Sequence, residues 1–229
     1  MKKILLALSV TLITLSSCEK EETHTKLDIN EKSHFTGTFE AIDSKKMPIN
    51  VSLTISDEHY KCFTNLPFGV GAGKLDISET TIDFIDTLFF VKPANYGPTF
   101  VLSGKYNYKY DGENLTIRKD DDAENTEYKL KKLDVKEIDE TVLKLYTMFK
   151  NGEISECKHN GKTVYSAGLN AYDAGGSIFD NEGEVIGSCN YAWGNVDDIC
   201  KELENCEVIY RVENNIWGLP AVDIYGLGK

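Results

Sequence analysis

The strongest constraint on the fold is a repeated alternation of apolar and polar residues through the first half of the chain. Apolar side chains occupy every second position in seven short stretches, among them 51–55, 106–110 and 128–130. Successive side chains of a β-strand point to opposite faces, so a period of two indicates strands with one buried face. Turn-forming pairs such as Met47-Pro48 and Asp111-Gly112 separate the stretches and predict short antiparallel connections.

This pattern predicts about eight strands between residues 34 and 133. A sheet of that size removes its exposed edges by closing into a barrel or by folding into a sandwich. The first strand, Phe35-Thr36-Gly37-Thr38-Phe39, and the run 102–117 resemble the small lipocalin-like (calycin-type) domains of bacterial lipoproteins. Gly37-Thr38-Phe39 stands where true lipocalins have Gly-x-Trp. The resemblance implies a lipocalin-like antiparallel β-barrel over residues 34–133.

The N-terminus has the order of a secretory signal. Two lysines precede an apolar run, 4–15, which is shorter than the roughly 20 apolar residues that a helix needs to cross a bilayer. A cleaved signal is therefore favoured over a transmembrane helix. Leu15-Ser16-Ser17-Cys18 closes the run and resembles the lipobox of bacterial lipoproteins, which implies cleavage before Cys18 and lipidation of Cys18. An ordinary secretory signal with a chance cysteine is the alternative.

The lipobox resemblance also implies a location. Several acyl chains on Cys18 would form a lasting membrane anchor. Glu19 after the cysteine resembles lipoproteins that are sent to an outer membrane, and the acidic run 19–22 resembles surface-export tethers of some diderm bacteria. A solvated linker is the other interpretation of that run. We predict a signal peptide over 1–17, an acidic tether over 18–33, and a lipid-anchored protein of the cell outer membrane that is periplasmic or surface-exposed.

The charge of the chain restricts its partners. Its 37 acidic and 25 basic residues give a formal net charge of -12, and loss of the signal peptide with its two lysines makes the mature chain more negative. An acidic surface repels phosphate backbones and anionic lipids. We therefore expect no nucleic-acid partner.

The period changes after the predicted barrel. Apolar residues between positions 135 and 149 recur at intervals of three and four, which predicts a linking amphipathic helix over 134–150. The remaining segment, 151–229, returns to short strand patterns with hairpin turns at Asn160-Gly161 and 181–183. A short helix is predicted over 195–203, with Asn195 as its N-cap. These patterns indicate a small α+β domain.

Cysteines are concentrated in this last segment. In an exported protein, Cys157, Cys189, Cys200 and Cys206 predict two disulfide bonds, and Cys62 remains as either a reactive thiol or a buried strand residue. Four cysteines allow three pairings. A continuous helix would place Cys200 and Cys206 roughly 240° apart, which disfavours that pair. We predict Cys189–Cys200 and Cys157–Cys206; a metal site that includes His159 is the alternative.

Motifs for catalysis or cofactor binding are weak throughout the sequence. The four histidines accompany no Gly-x-Ser-x-Gly motif, and the glycines of 69–73 precede a strand pattern rather than the helix of a phosphate-binding loop. The acidic runs 120–124 and 180–184 do not have the spacing of a calcium-binding EF-hand loop. We predict no catalytic residues, no metal site and no cofactor, with the glycines forming a connection at the barrel mouth.

Aromatic residues provide the remaining functional hypotheses. Phe63, Phe68, Tyr106 and Tyr108 could line a pocket in the barrel or form its packed core, while Trp193 and Trp217 could contact a partner or be buried. Our first hypothesis is a noncatalytic binding lipoprotein that captures a small apolar ligand or a glycan. The alternative is a protein-interaction or inhibitor module carried by 151–229. A filled barrel with exposed tryptophans would favour the alternative.

Overall fold

The chain folds into a closed β-barrel, one α-helix and a second β-sheet. The computed structural model describes residues 25–40, 49–66, 70–88, 102–119, 126–135 and 137–228. The predicted signal peptide and Cys18 lie outside these residues. Among the helices within the described ranges, none has the length and apolar character needed to cross a membrane.

The barrel contains eight antiparallel strands, each paired with the next along the chain, and β1 closes the barrel by pairing with β8. This confirms the predicted barrel and excludes the sandwich. The strands are β1 (Ser33–Glu40), β2 (Ile49–Ser56), β3 (His59–Thr64), β4 (Val70–Ile77), β5 (Thr81–Asp86), β6 (Gly104–Tyr110), β7 (Asn114–Arg118) and β8 (Glu127–Lys132).

The barrel interior is filled by the alternating apolar side chains that the sequence pattern predicted. Tyr106 packs edge-to-face against both Phe84 and Tyr128, with ring centroids 5.7 and 6.2 Å apart. Eight strands enclose an interior of about the size that side chains fill. Other interior residues with 5% exposure or less are Phe35, Phe39, Val51, Leu53, Ile55, Tyr60, Leu75, Ile82, Leu115, Ile117 and Leu130.

Glycines allow close strand approach in this fold, and Gly37 is one example. A Cβ atom on Gly37 would overlap the carbonyl oxygen of Lys129 on the neighbouring strand β8. Glycine is used where backbones approach this closely. The glycines predicted to form a connection at the barrel mouth instead contribute Gly71 and Gly73 to β4, while Gly69 lies outside the described residues.

One end of the barrel is covered by the segment that precedes β1. Leu27 is 2% exposed within the barrel core, the amide of Thr25 donates to the carbonyl of Tyr110, and the amide of Glu58 donates to the carbonyl of Ile29. The packed chain therefore begins earlier than the predicted tether over 18–33 implies. Burial of Leu27 explains the difference, because one apolar residue anchors an otherwise polar segment.

The linking helix α1 is shorter than predicted and spans Glu140–Phe149. The Asp139 side chain caps it by accepting a hydrogen bond from the Thr141 amide at 2.8 Å. Leu133 and Ile138 are buried without being helical. The apolar residues before Asp139 therefore belong to a non-helical segment that packs on the protein. The apolar residues after Asp139 follow the period of the helix.

Helix α1 lies between the barrel wall and the second sheet. On the barrel side, the Asn50 amide group donates to the carbonyl of Thr147 at 3.0 Å, and Lys61 forms an ion pair with Glu140. On the other side, Leu143, Leu145 and Tyr146 belong to one apolar cluster with residues of the second sheet. The sheet residues of this cluster are Ile154, Tyr165, Ala167, Phe179, Ile209 and Tyr210.

The second sheet has seven antiparallel strands in the order β13-β12-β11-β10-β9-β14-β15. Five of its strands, β9 to β12 and β14, agree in position with the short strand patterns of the sequence, whereas β13 and β15 were not predicted. They are β9 (Gly152–His159), β10 (Lys162–Leu169), β11 (Gly176–Phe179), β12 (Val185–Asn190), β13 (Asn195–Val196), β14 (Glu204–Arg211) and β15 (Val222–Asp223).

The helix predicted over 195–203 is only a short 3₁₀ turn, Asp198–Lys201. Asn195 does not cap it, because Asn195 belongs to β13 and pairs with Asn190 of β12. The turn packs closely on the sheet: a Cβ atom on Gly187 would overlap the Ile199 side chain. The residues just before the turn pair in a strand, and the turn itself packs on the sheet. Too few residues therefore remain for a longer helix.

Both predicted disulfide pairings are confirmed. Cys157 is bonded to Cys206 across 49 residues of sequence, and Cys189 to Cys200 across 11. Cys189 and Cys200 pack with Cys157 in a small apolar cluster on the sheet face opposite α1. The two bonds therefore fasten the 3₁₀ turn and β14 to the rest of the sheet.

The two disulfides should differ in their contribution to stability. Replacing Cys157 and Cys206 by alanine should lower the free energy of unfolding by about 4 kcal/mol, and replacing Cys189 and Cys200 by about 3 kcal/mol, because the longer loop constrains the unfolded chain more. Urea unfolding followed by tryptophan fluorescence measures both values. A larger loss for the Cys189 and Cys200 variant would contradict this ranking.

Candidate functional site

Of the four residues predicted to line a ligand pocket, the three that the structure describes do not share one site. Tyr106 and Tyr108 point into the barrel and are 2% and 3% exposed. Phe63 lies on the outer face of β3, where the ammonium of Lys61 is 5.4 Å from its ring centroid. Phe68 lies outside the described residues. The two tyrosines are thus part of a packed core, which was the other interpretation of the pattern.

Two tyrosine hydroxyls inside the barrel form hydrogen bonds with backbone carbonyls. The Tyr60 hydroxyl donates to the carbonyl of Leu102 at 2.8 Å, and the Tyr110 hydroxyl donates to the carbonyl of Gly112 at 2.7 Å. Burial raises the pKa of Tyr60 and of Tyr128 far above the ordinary value, so both remain neutral. These interior groups therefore act as structural partners.

Cys62 belongs to the same core. Its side chain is 2% exposed, and burial raises the pKa of its thiol to about 12. A thiol of this pKa is almost entirely protonated at neutral pH, whereas nucleophilic chemistry needs the thiolate. The structure therefore favours the buried strand residue over the reactive thiol.

Two other sequence candidates form local contacts. His159 Nε2 lies 3.1 Å from a carboxylate oxygen of Glu202, and its sequence neighbour Cys157 is in a disulfide. In the acidic run 180–184, Asp180 Oδ1 accepts hydrogen bonds from the amides of Glu182 and Glu184, which forms a turn. The described ranges contain no group of three His, Cys, Asp or Glu side chains arranged to hold a metal. The run 120–124 lies outside those ranges.

Exposed apolar side chains are concentrated at one end of the second sheet. The β10–β11, β12–β13 and β14–β15 connections all leave the sheet at this end, because antiparallel strands alternate in direction. We call the following group the aromatic end: Leu169, Tyr172, Tyr191, Trp193, Trp217 and Leu219. Tyr172 is 88% exposed, Trp193 70% and Tyr191 67%.

Asparagine side chains fix the loops of the aromatic end. Asn170 Oδ1 accepts a hydrogen bond from the Ile216 amide at 2.7 Å, which joins two of the loops. Asn190 Oδ1 accepts from the Trp193 amide at 3.2 Å. The buried Asn215 accepts from the Leu219 amide and donates to the carbonyls of Val212 and Leu219. The exposed rings are therefore presented on loops that the fold holds in place.

The aromatic end also has a defined charge. The segments 170–175, 191–194 and 212–221 contain two acidic residues, Asp173 and Glu213, and no lysine or arginine. Exposed tryptophan and tyrosine residues of this kind are enriched in protein interfaces. The arrangement therefore suits noncovalent binding of a partner that supplies positive charge around an apolar surface.

Two surface clefts lie beside α1. A cleft of about 620 Å³ near the start of the helix is lined by Asp139, Glu156, Lys162, Thr163, Tyr165, Asn181 and Tyr225. A cleft of about 380 Å³ near its end is lined by residues of β1, β7 and β8, by Tyr146 and Lys150 of the helix end, and by Leu227 and Gly228. Neither cleft was predicted, because each is assembled from segments that are distant in sequence.

Comparison of the chain with protein-family models, with characterised proteins and with solved structures gave no match. Functional inference therefore depends on the geometry of the chain itself.

Sequence reasoning located part of the aromatic end. Trp193 and Trp217 were predicted as partner contacts, and both are exposed, at 70% and 42%. It missed Leu169 and Tyr172, which reach the same end of the sheet only through strand order. The sequence does contain a signal for them: Leu169 follows a strand pattern, and Tyr172 lies among the turn-forming residues of 170–175.

Proposed function

We propose that this chain is a lipid-anchored, noncatalytic binding protein of the bacterial cell envelope that holds a protein partner through the aromatic end. The observation that carries the proposal is the group of exposed apolar rings on three loops at one end of the second sheet. The hydrogen bond from the Ile216 amide to Asn170 joins two of these loops, and monomeric proteins rarely expose neighbouring large apolar side chains unless these contact something. The filled interior of the barrel favours this function over capture of an apolar ligand.

The construction of the aromatic end supports a protein partner. Tryptophan and tyrosine supply large contact areas with few rotatable bonds, and loops that are already held in place lose little entropy on binding. Hydrogen bonds from Asn170, Asn190 and Asn215 hold these loops. The two acidic residues of the loops favour a partner surface that carries lysine or arginine around an apolar pocket.

Membrane attachment through Cys18 is the second part of the proposal. Its support is the lipobox-like Leu15-Ser16-Ser17-Cys18 after the apolar run. Acyl chains on this cysteine, together with the segment that leads to Thr25, would hold the barrel near the membrane. The barrel then serves as a rigid support for the second sheet.

The anchor is tested by removing the acylated thiol. A Cys18→Ala variant should incorporate no fatty acid in metabolic labelling, whereas the matched Ser17→Ala variant should be labelled as wild type is, because only the cysteine thiol accepts lipid. Mass spectrometry of the wild-type N-terminal peptide should find cleavage after Ser17 and acyl chains on Cys18. An unmodified Cys18, or a Cys18→Ala variant that is still labelled, would contradict lipid anchoring.

The binding surface is tested by photo-crosslinking in the envelope of the host. A photoreactive phenylalanine analogue in place of Tyr172 should yield one discrete protein adduct. The same analogue in place of Ile85, which is 50% exposed on the barrel wall, is the matched control and should not yield it. Combined Trp193→Ala and Trp217→Ala substitutions should remove most of the adduct, because interface tryptophans carry a large share of binding energy.

Three results would contradict the proposed partner binding. One is an adduct of equal yield from the Ile85 position, and another is an adduct that persists without both tryptophans. The third is an adduct that consists of glycan or lipid rather than protein, which would assign the aromatic end to a different ligand.

A further inference from the structure

The cleft near the end of α1 is lined by basic side chains, although the protein is acidic. Among the described residues of its lining, three are lysines, Lys129, Lys131 and Lys150, and none is an aspartate or glutamate. The whole chain contains 37 acidic and 25 basic residues. Glutamates outside the lining pair with Lys129 and Lys131, so the uncompensated positive charge in this concave site comes from Lys150.

The three sides of this cleft are fixed to one another. The Thr36 hydroxyl on the barrel wall donates to the carbonyl of Leu227 at 3.0 Å. Asp223 accepts hydrogen bonds from the amides of Leu227 and Gly228 at 2.7 and 3.0 Å, which shapes the segment that follows β15. The Tyr210 hydroxyl donates to the carbonyl of Lys150 and holds the end of the helix. The cleft is thus a built feature of the fold.

Lys150 is the lining residue of this cleft whose charge most favours a bound anion. Its side chain is half-buried, and its ammonium forms no ion pair or hydrogen bond with any residue that the structure describes. Burial lowers the pKa of Lys150, and no nearby carboxylate offsets that effect. A partly desolvated ammonium without a counter-charge is unfavourable, and a bound anion would remove that cost.

The other two lysines stand at the rim of the cleft. Lys129 contacts Glu40 and Glu127 at 3.2 and 3.1 Å, and Lys131 contacts Glu113 at 2.9 Å. These lysine side chains are about half exposed, and exposed ion pairs of this kind contribute little free energy. A ligand that bears more negative charge can therefore displace the glutamate carboxylates from these lysines. Thr116 adds a neutral hydroxyl to the same wall.

We propose that this cleft is a binding site for a phosphate group, with Lys150 as its deepest contact and Lys129 and Lys131 at its rim. Lysine binds phosphate as a compact point charge with three donors, and a cleft of about 380 Å³ accommodates a phosphate ester of modest size. The phosphate belongs either to a small soluble ester or to the headgroup of an anionic lipid. The residues that line this cleft are not those of the aromatic end, and the proposal does not depend on partner binding there.

The test is a calorimetric titration of the full chain in neutral phosphatidylcholine nanodiscs with inorganic phosphate, at constant ionic strength and pH 7. Wild-type protein should bind one phosphate saturably. Lys150→Met should weaken binding by about tenfold or more, since a hydrogen bond to a charged group is lost. Lys150→Arg keeps the charge and should retain binding. The matched control Lys201→Met removes an exposed lysine of the 3₁₀ turn and should bind as wild type does.

Nanodiscs that contain phosphatidylglycerol distinguish the two sources of phosphate. If lipid headgroups enter the cleft, the apparent dissociation constant for inorganic phosphate rises in these discs, and the rise is absent in Lys150→Met. An unchanged constant assigns the cleft to a soluble ester. The proposal is overturned if binding does not saturate, or if Lys150→Met binds as tightly as wild type, which would mean an adventitious ion only.

Discussion

Burial of α1 on two sides is the interaction on which the rest of the structure depends. Leu143 and Leu145 have no exposed surface, and full burial of one leucine contributes about 1.5–3 kcal/mol. The helix meets the barrel through the carbonyls that accept hydrogen bonds from Asn50 and Ser52, and it meets the second sheet through the cluster around Tyr165. Barrel and sheet therefore share one helix, and the cleft near the end of the helix exists because of that contact, since residues of both the barrel and the helix end line it.

A filled barrel changes where function should be sought. Tyr106 and Tyr128 pack against each other inside the barrel, and burial raises the pKa of Tyr128 so that its hydroxyl stays neutral. The features that remain available for recognition lie outside the barrel. They are the aromatic end, with its neutral and acidic loops, and the lysine-lined cleft. The two differ in chemistry, which is why we assign them to different ligands.

Local patterns in the sequence predicted the strands, because alternation is a property of neighbouring residues. The disulfide pairs were predicted from a helix through Cys200 and Cys206, where the structure has a 3₁₀ turn followed by β14, so the pairing was correct although its reason was not. Prediction failed where tertiary packing decided the outcome. Leu27 lies in a charged segment and is buried, while Asn195 has the character of a helix cap but pairs in a strand. Tyr172 and Lys150 acquired their importance from strand order and helix placement, which no local pattern contains. Trp193 was identifiable because an aromatic residue between turn-forming neighbours is a local signal.

The central claim is that the barrel is a packed support whose recognition surfaces lie on the outside. Nuclear magnetic resonance of the protein under xenon pressure tests it most directly, because xenon enters apolar cavities that are large enough to hold it. The account predicts no saturable, xenon-dependent shift of the ring signals of Tyr106 and Tyr128. Saturable shifts of these core signals would show an empty apolar space in the barrel and would contradict the account.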